Sequence, residues 1–155
     1  MEINHIGITV PDLDAAVAFY VEVFGLRVLV EPGLHTDQTA FADRRRDVFG
    51  DHWGAMKLAH LVTPSGCGIE LFEFVKPATH GPDVAFDYAR VGVSHICLTT
   101  EDLDGAIARL VERGGSQRSA VHKVRDGVSV CYCADPWGVI IELSSASYSG
   151  IVGVA

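Results

Sequence analysis

Apolar and polar residues alternate along the first segment of the chain, from Ile3 to Val10. The apolar set is Ile6, Ile8 and Val10, and the polar or small set is His5, Gly7 and Thr9. A period of two is typical of a β-strand with one buried face. Pro11 then favours an end to this strand, because proline cannot donate a backbone hydrogen bond to a neighbouring strand. His5 is therefore expected on the less apolar face of a strand.

The following segment has the spacing of an amphipathic helix. Asp12 is a suitable N-cap and Gly25 a suitable terminator. The apolar residues between them recur at helical intervals; they are Leu13, Ala16, Val17, Tyr20, Val21 and Phe24. The chain thus begins with a predicted strand followed by a predicted helix.

This strand and helix occur a second time. The segment from Val93 to Gly115 aligns without a gap with the segment from Ile3 to Gly25, at a constant difference of 90 in residue number. His95 corresponds to His5 in this alignment. The match predicts two modules that share one plan.

A second repeat follows each helix. Both Pro64 to Leu71 and Pro136 to Leu143 read P-x-G-x-x-I-E-L, and they differ by 72 in residue number. Glu142 therefore corresponds to Glu70. Because 72 is 18 less than 90, the first half carries 18 extra residues, which must lie within Leu26 to Thr63.

Other apolar runs predict the remaining strands. They are Leu26 to Val30, ended by Glu31-Pro-Gly33; Met56 to Thr63 and Gly68 to Val75, joined by Pro64-Ser-Gly66; and Val128 to Ala134 and Val139 to Ser144, joined by Asp135-Pro-Trp-Gly138. The tail from Ser144 to Ala155 has no assignable pattern.

The inserted region, from Leu34 to Ala55, has no clean period and is expected to be a loop with a short helix. It contains three aromatic residues, Phe41, Phe49 and Trp53. Two interpretations stay open. Insertions on a repeated scaffold commonly hold substrate contacts, so the region can be a lid or side wall of a binding cleft. It can equally be a surface or dimer-contact element.

A chain of 155 residues has the length of one domain. We expect residues 1–75 and 93–145 to be two modules of a single domain, joined by a connector at residues 76–92, because units this small bury too little surface alone. The net charge of −8 argues against nucleic acid and membrane surfaces as partners. The basic cluster Arg44-Arg45-Arg46 is interpreted as a solvated helix face.

The sequence contains no apparent signal peptide and no apolar run long enough for a membrane span. Its four cysteines lack C-x-x-C spacing and lie in apolar runs, which favours reduced, buried thiols; they are Cys67, Cys97, Cys131 and Cys133. A cytoplasmic location is expected.

The repeated polar residues indicate a metal site. Each half places a histidine on its first strand and a glutamate on its last, so His5, Glu70, His95 and Glu142 form a matched set. Buried carboxylates without partners are unfavourable. One divalent cation among two imidazoles and two carboxylates would neutralise the charges and accept all four donors. Independent structural roles would not require matched positions.

The sequence resembles the vicinal oxygen chelate superfamily, which includes glyoxalase I, methylmalonyl-CoA epimerase, extradiol dioxygenases and drug-resistance proteins. The matching motifs are N-H-I-G-I-T-V-P-D-L, S-H-I-C-L-T-T-E-D-L and D-P-W-G-V-I-I-E-L, and they span nearly the whole chain. The resemblance implies an α+β fold in which two β-α-β-β-β modules form a curved eight-stranded mixed sheet around a metal cleft. It places the metal ligands on His5, Glu70, His95 and Glu142.

The resemblance implies a lyase or isomerase of the glyoxalase I or epimerase type, which moves a proton next to a carbonyl through a metal-bound enolate. Glu70 and Glu142 would be the catalytic carboxylates. The alternatives are an extradiol dioxygenase, with His5, His95 and Glu142 on Fe(II) and Glu70 unused, and a drug-binding module.

The implied cofactor is one divalent ion per site, namely Zn, Ni, Co or Mn, or Fe(II) in a dioxygenase. The implied partner is a small substrate with vicinal oxygens. A homodimer is also expected, and the sequence leaves open whether the cleft lies within one chain or across the dimer.

Overall fold

The alternating segment at the start of the chain forms a strand in the computed structural model, which describes residues 1–81 and 86–154. This strand, β1 (His5–Thr9), is followed by α1 (Leu13–Phe24). The Asp12 side chain caps α1 by accepting a hydrogen bond from the Ala15 N–H at 3.1 Å. Gly25 ends α1 with a φ of 66°, a left-handed conformation that glycine adopts without strain. Both predicted helix boundaries are confirmed.

The first module contains three further strands and one short helix. They are β2 (Arg27–Thr36), α2 (Ala42–Phe49), β3 (Ala55–Val62) and β4 (Gly68–Lys76). The sheet order is β1-β4-β3-β2. The first and last strands, β1 and β4, run parallel, and the other neighbours are antiparallel.

The second module repeats this plan. Its elements are β5 (Ile96–Thr99), α3 (Leu103–Glu112), β6 (Ser116–Gln117), β7 (His122–Arg125), β8 (Val128–Ala134), β9 (Ile140–Ser144) and α4 (Tyr148–Val152). The sheet order is β5-β9-β8-β6, and β7 also pairs with β8. Because β6 and β7 pair with different parts of β8, together they occupy the position that β2 holds in the first module. The α+β class and the two β-α-β-β-β modules are therefore confirmed.

The sheet arrangement differs from the expectation of one eight-stranded sheet. The described residues form two separate mixed sheets, of four and five strands. The ninth strand arises because the edge strand of the second module is divided into β6 and β7.

The chain divides into two compact units, Met1–Pro82 and Asp83–Ala155. That the modules form a single domain stays a prediction. The predicted connector at residues 76–92 is shorter than expected at its start, since β4 continues to Lys76. Its residues 82–85 lie outside the described part of the chain.

One face of each sheet packs against the helix of its own module. In the first module the buried residues are Leu13, Ala16, Phe19, Tyr20 and Val23 of α1 and Ala59, Leu61, Ile69 and Leu71 of the sheet. In the second they are Leu103, Ala106, Ile107 and Leu110 of α3 and Cys131, Cys133, Ile141 and Leu143 of the sheet. Since strand side chains alternate, Glu70 and Glu142 lie on the opposite face, which we call the site face of each sheet.

The prediction that Glu31-Pro-Gly33 ends the second strand is wrong. The strand β2 continues to Thr36, with two irregularities in its pairing to β3, between Val28 and Val30 and between Val30 and Gly33. Irregular pairing of this kind accommodates a proline within an edge strand. The expected loop with a short helix is confirmed by α2.

Two expectations about exposure also change. Cys97 is exposed and Cys67 half-buried, whereas Cys131 and Cys133 are buried as expected.

Arg45 is buried rather than part of a solvated helix face; its guanidinium donates to the Ala40 carbonyl and lies 3.0 Å from the His35 ring. Burial, with Arg45 as a second cause, lowers the pKa of His35.

Within residues 1–81 and 86–154, no helix has the length and apolar character needed to cross a membrane. The cytoplasmic location stays a prediction.

We predict that Asp12→Ala lowers the free energy of unfolding by about 1 kcal/mol, because the first turn of α1 loses its side-chain acceptor. Urea denaturation followed by circular dichroism measures this change. Asp14→Ala is the matched control, since it removes a carboxylate from the same first turn and leaves the cap in place. Equal effects of the two substitutions would contradict a capping role for Asp12.

Candidate metal-binding pairs

The pairing of the first and last strand places a histidine near a glutamate in each module. In the first module Gly7 of β1 lies opposite Glu70 of β4. In the second, Cys97 of β5 lies opposite Glu142 of β9. Each histidine precedes the residue opposite the glutamate by two positions, so its side chain is on the site face as well. The histidines, which differ by 90 in residue number, and the glutamates, which differ by 72, therefore occupy equivalent positions in the two sheets.

The first pair joins His5 and Glu70. The His5 Nε2 atom lies 3.5 Å from the Glu70 Oε2 atom. A third residue, His60 of β3, places its Nδ1 atom 3.3 Å from the other carboxylate oxygen. Gly68 permits this approach, since a Cβ there would lie 2.9 Å from the Cβ of His5.

The second pair joins His95 and Glu142. The His95 Nε2 atom lies 3.0 Å from the Glu142 Oε2 atom. The hydroxyl of Tyr132 in β8 donates a hydrogen bond to the same oxygen at 3.2 Å. The rings of His95 and Tyr132 also pack edge to face, with centroids 5.2 Å apart. Three contacts therefore orient His95 and Glu142.

The other ring nitrogen of each histidine contacts the residue just before it. His5 Nδ1 is 2.8 Å from Asn4 Oδ1, and His95 Nδ1 is 3.0 Å from Ser94 Oγ. The Asn4 amide oxygen can only accept, so this contact suits the His5 tautomer that has its proton on Nδ1. Metal-binding histidines commonly donate one ring N–H to an outer partner in this way, which leaves Nε2 as the ligand atom.

Within each module, the histidine and the glutamate are spaced like two ligands of one metal ion. Two ligand atoms at about 2.1 Å from an ion, at an angle of about 90–110°, lie roughly 3.0–3.4 Å from each other. The observed separations of 3.5 and 3.0 Å are close to this range. Each module thus brings together two donors spaced as neighbours in a coordination shell. Among the described residues, no group of three or more His, Cys, Asp or Glu side chains is arranged to hold a metal ion.

Both carboxylates are partly buried. The Glu142 side chain is 13% exposed and that of Glu70 is 26% exposed. Both carboxylates are therefore accessible to a small molecule on the site face. Glu142 is the more enclosed of the two.

Two further groups in the second module adjoin Glu142. Although Cys97 is exposed as a residue, neighbouring groups partly desolvate its thiol, which raises the thiol pKa to about 11, and the Glu142 carboxylate contributes to the rise. Burial also raises the pKa of Tyr132, again with Glu142 as a further cause. Both groups are consequently protonated at neutral pH and can act as hydrogen-bond donors.

The sequence analysis missed three residues that adjoin the two glutamates, namely His60, Tyr132 and Cys97. His60 lies opposite Glu70, and Tyr132 lies opposite Glu142, in equivalent strands. The two residues differ by the same 72 in residue number as the glutamates. Extending the second repeat backwards from Pro64 and Pro136 would have identified them.

The inserted region covers part of the site face of the first module. Phe49, the last residue of α2, packs edge to face on Phe72 and Phe74 of β4, with centroids 6.2 and 5.3 Å apart. Trp53 is buried. Phe41, in contrast, is 70% exposed and lies under the Arg44 guanidinium. Phe49 therefore covers part of the sheet, and it lines a pocket together with Trp53 and Phe74.

Comparison with known proteins identifies relatives in two enzyme classes. A lactoylglutathione lyase (glyoxalase I) of Arabidopsis thaliana is 27% identical over 140 residues, which cover 90% of this chain and 42% of that protein. The mitochondrial methylmalonyl-CoA epimerase of Homo sapiens is 26% identical over 149 residues, which cover 93% of this chain and 73% of that protein. The chain spans less than half the length of the lyase.

The fold has a close counterpart among solved structures. A glyoxalase family protein from Bacillus cereus superposes with a TM-score of 0.77 at 24% identity, over 93% of both chains. The family model for the Glyoxalase/Bleomycin resistance protein/Dioxygenase superfamily matches residues 2–143. The predicted resemblance is therefore confirmed, and the chain belongs to the Glyoxalase/Bleomycin resistance protein/Dioxygenase superfamily.

Proposed function

We propose that the protein is a divalent-metal-dependent lyase or isomerase that moves a proton next to a carbonyl group. The observation that carries this proposal is the pair of histidine and glutamate side chains in each module, at matching register. His5, Glu70, His95 and Glu142 would together bind one ion. Zn, Ni, Co and Mn suit this nitrogen and oxygen donor set.

The two carboxylates have unequal surroundings, which supports different roles. Glu142 is held by His95 and Tyr132 and is the less exposed, as suits a fixed ligand. Glu70 is more exposed and is 3.5 Å from its histidine. We assign Glu70 the role of general base, because a base must approach the carbon that loses its proton. His60 orients Glu70 from the other carboxylate oxygen.

A bound divalent ion would supply Lewis-acid stabilisation of negative charge on the substrate oxygen. The chain's own groups supply the proton transfer and the positioning of the ligands. Glu70 accepts the proton from the carbon next to the carbonyl and returns it to carbon, which forms the product. Asn4 and Ser94 fix the rings of His5 and His95. The substrate class that fits is a small molecule with vicinal oxygens, since two adjacent oxygens can share one ion.

The names of the relatives support proton transfer next to a carbonyl, since they include a lyase and an epimerase.

We also propose that the chain forms a homodimer. The edge strand β2 presents exposed apolar residues, Leu29, Val30 and Leu34, which suit burial against a second copy.

A second candidate function, ring cleavage by an Fe(II)-dependent dioxygenase, is favoured by the asymmetry between the pairs. His5, His95 and Glu142 would form the two-histidine, one-carboxylate set that such enzymes use. The longer separation at Glu70 would then reflect a residue without a role in the reaction.

We predict that His95→Ala abolishes stoichiometric metal binding, because the site loses one of its two imidazoles. Isothermal titration with Mn²⁺ or Zn²⁺ measures the stoichiometry, and thermal melting with and without the ion measures the linked stability. His122→Ala is the control, since this histidine is exposed on the short edge strand β7. Retention of one ion per chain in a His5→Ala, His95→Ala double variant would refute the proposed ligand set.

We predict that Glu70→Gln reduces turnover by about 10²–10⁴-fold, the usual contribution of a positioned general base, and preserves the fold. The readout is incorporation of solvent deuterium next to a substrate carbonyl under anaerobic conditions. Candidate substrates are 2-oxo thiohemiacetals and acyl-CoA thioesters.

Glu73→Gln is the matched control, because Glu73 lies on the same strand but on the helix face, where it accepts a hydrogen bond from the Leu13 N–H. Oxygen consumption with a catechol that is unchanged in Glu70→Gln would instead establish the dioxygenase.

A further inference from the structure

Arg45 of α2 is a buried cation. The residue is only 8% exposed, whereas the neighbouring Arg44 is exposed. Arginine is rarely buried without an ion-pair partner, because its guanidinium stays charged and burial removes its hydration. The guanidinium of Arg46 has such partners, since it lies 3.1 Å from Asp43 Oδ1 and 4.0 Å from Asp37 Oδ2. Arg45 is therefore the arginine of α2 whose charge requires an explanation.

Within residues 1–81 and 86–154, no carboxylate forms an ion pair with Arg45. The guanidinium donates to the Ala40 carbonyl and to the His35 ring, and neither group carries a negative charge. A guanidinium can only donate, so the His35 Nδ1 atom accepts this hydrogen bond. Burial, with the adjacent Arg45 charge as a second cause, lowers the pKa of His35 and keeps its ring neutral. The positive charge of Arg45 is thus hydrogen-bonded but not compensated.

The Arg45 guanidinium also has a donor without a protein acceptor. Its Nε–H has no hydrogen-bond partner in the described part of the chain. In that part, Trp53 Nε1 is the only completely enclosed side-chain nitrogen or oxygen atom that lacks a partner. The Arg45 Nε atom is therefore not completely enclosed, and an oxygen atom the size of a water molecule can reach it.

The guanidinium lies on the site face of the first sheet. His35 of β2 is opposite Met56 of β3, and Met56 is opposite Phe74 of β4. Residues that are directly opposite share a face, and Phe74 shares its face with Glu70 because the two are four positions apart. Arg45, which is bonded to His35, is thus on the same face as Glu70. A ligand on this face can extend from one residue towards the other.

The charge of the whole chain does not favour anions. Its net charge is −8, so an anion that binds near Arg45 must be held by local contacts. A guanidinium forms strong, charge-assisted hydrogen bonds with carboxylates and phosphates. The group that would compensate Arg45 is therefore an oxyanion and not a neutral or cationic group.

We propose that Arg45 anchors a binding site for an oxyanion, the carboxylate or phosphate group of a small molecule held on the site face. The oxyanion accepts the Nε–H hydrogen bond and neutralises the guanidinium. Ala40 and His35 hold the guanidinium in place before the ligand binds. The binding requires neither a metal ion nor the proposed proton transfer, so a failure of one proposal is distinguishable from a failure of the other.

The test titrates acetate, methyl phosphate and acetamide into ¹⁵N-labelled protein at constant ionic strength. Acetamide has nearly the shape of acetate but carries no charge. The arginine Nε–H signals, assigned by triple-resonance experiments, are followed by NMR. We expect saturable binding of at least one of the two anions with a shift of the Arg45 signal, and no saturable binding of acetamide. The anion that binds more tightly identifies the ligand group as a carboxylate or a phosphate.

Two variants complete the test. Arg45→Gln should weaken binding of that anion by about 10-fold or more, because it removes the charge and the charge-assisted hydrogen bond. Arg44→Gln is the matched control, since it removes the same charge from an exposed position of α2 and should change the affinity by less than about 2-fold. If Arg45→Gln does not fold, the Arg45 signal of the wild-type protein still decides the question.

Equal weakening by Arg45→Gln and Arg44→Gln would overturn the proposal, because it would indicate general attraction to α2. Absence of saturable anion binding, equal affinities for acetamide and the tighter anion, or shifts of other arginine signals without that of Arg45 would overturn it as well.

Discussion

Parallel pairing of the first and last strand is the constraint on which both modules depend. It joins β1 to β4 and β5 to β9, and it sets residues that are distant in the chain side by side. Because the side-chain period of a strand is two, a slip by one residue would move Glu70 or Glu142 into the helix-packed core. The buried residues on either side of each glutamate oppose that slip, since Ile69, Leu71, Ile141 and Leu143 belong to the core. The packing of the core therefore also holds each histidine next to its glutamate.

The repeat allowed much of this arrangement to be predicted from the sequence. The two helix caps, the turns at Pro64 and Asp135 and the four matched polar residues follow from local chemistry and from constant offsets. The continuation of β2 past Pro32 could not be predicted in this way. It depends on pairing with β3, which local turn signals do not reveal. The division of the second edge strand into β6 and β7 likewise depends on pairing with β8. His60 and Tyr132 were missed because each was interpreted as part of an apolar run.

The two modules have diverged around a shared plan. The first has an insertion that lengthens its edge strand and adds α2, whose Phe49 packs on the sheet. The second has instead a more enclosed carboxylate, which Tyr132 and His95 both contact. This difference fits the proposed function, in which Glu142 would hold the ion firmly and Glu70 would act as the base. A ligand that also acts as the general base, the role proposed for Glu70, needs room to reach its substrate, whereas a ligand with no other role needs only fixed geometry.

The central proposal is that the two pairs share one ion, and a crystal structure of the protein soaked in Mn²⁺ tests it most directly. The anomalous difference map should show one peak per site, about 2.2 Å from the Nε2 atoms of both His5 and His95 and in contact with Glu70 and Glu142. Two separate peaks, one at each pair, or a peak that contacts the residues of a single module, would contradict it.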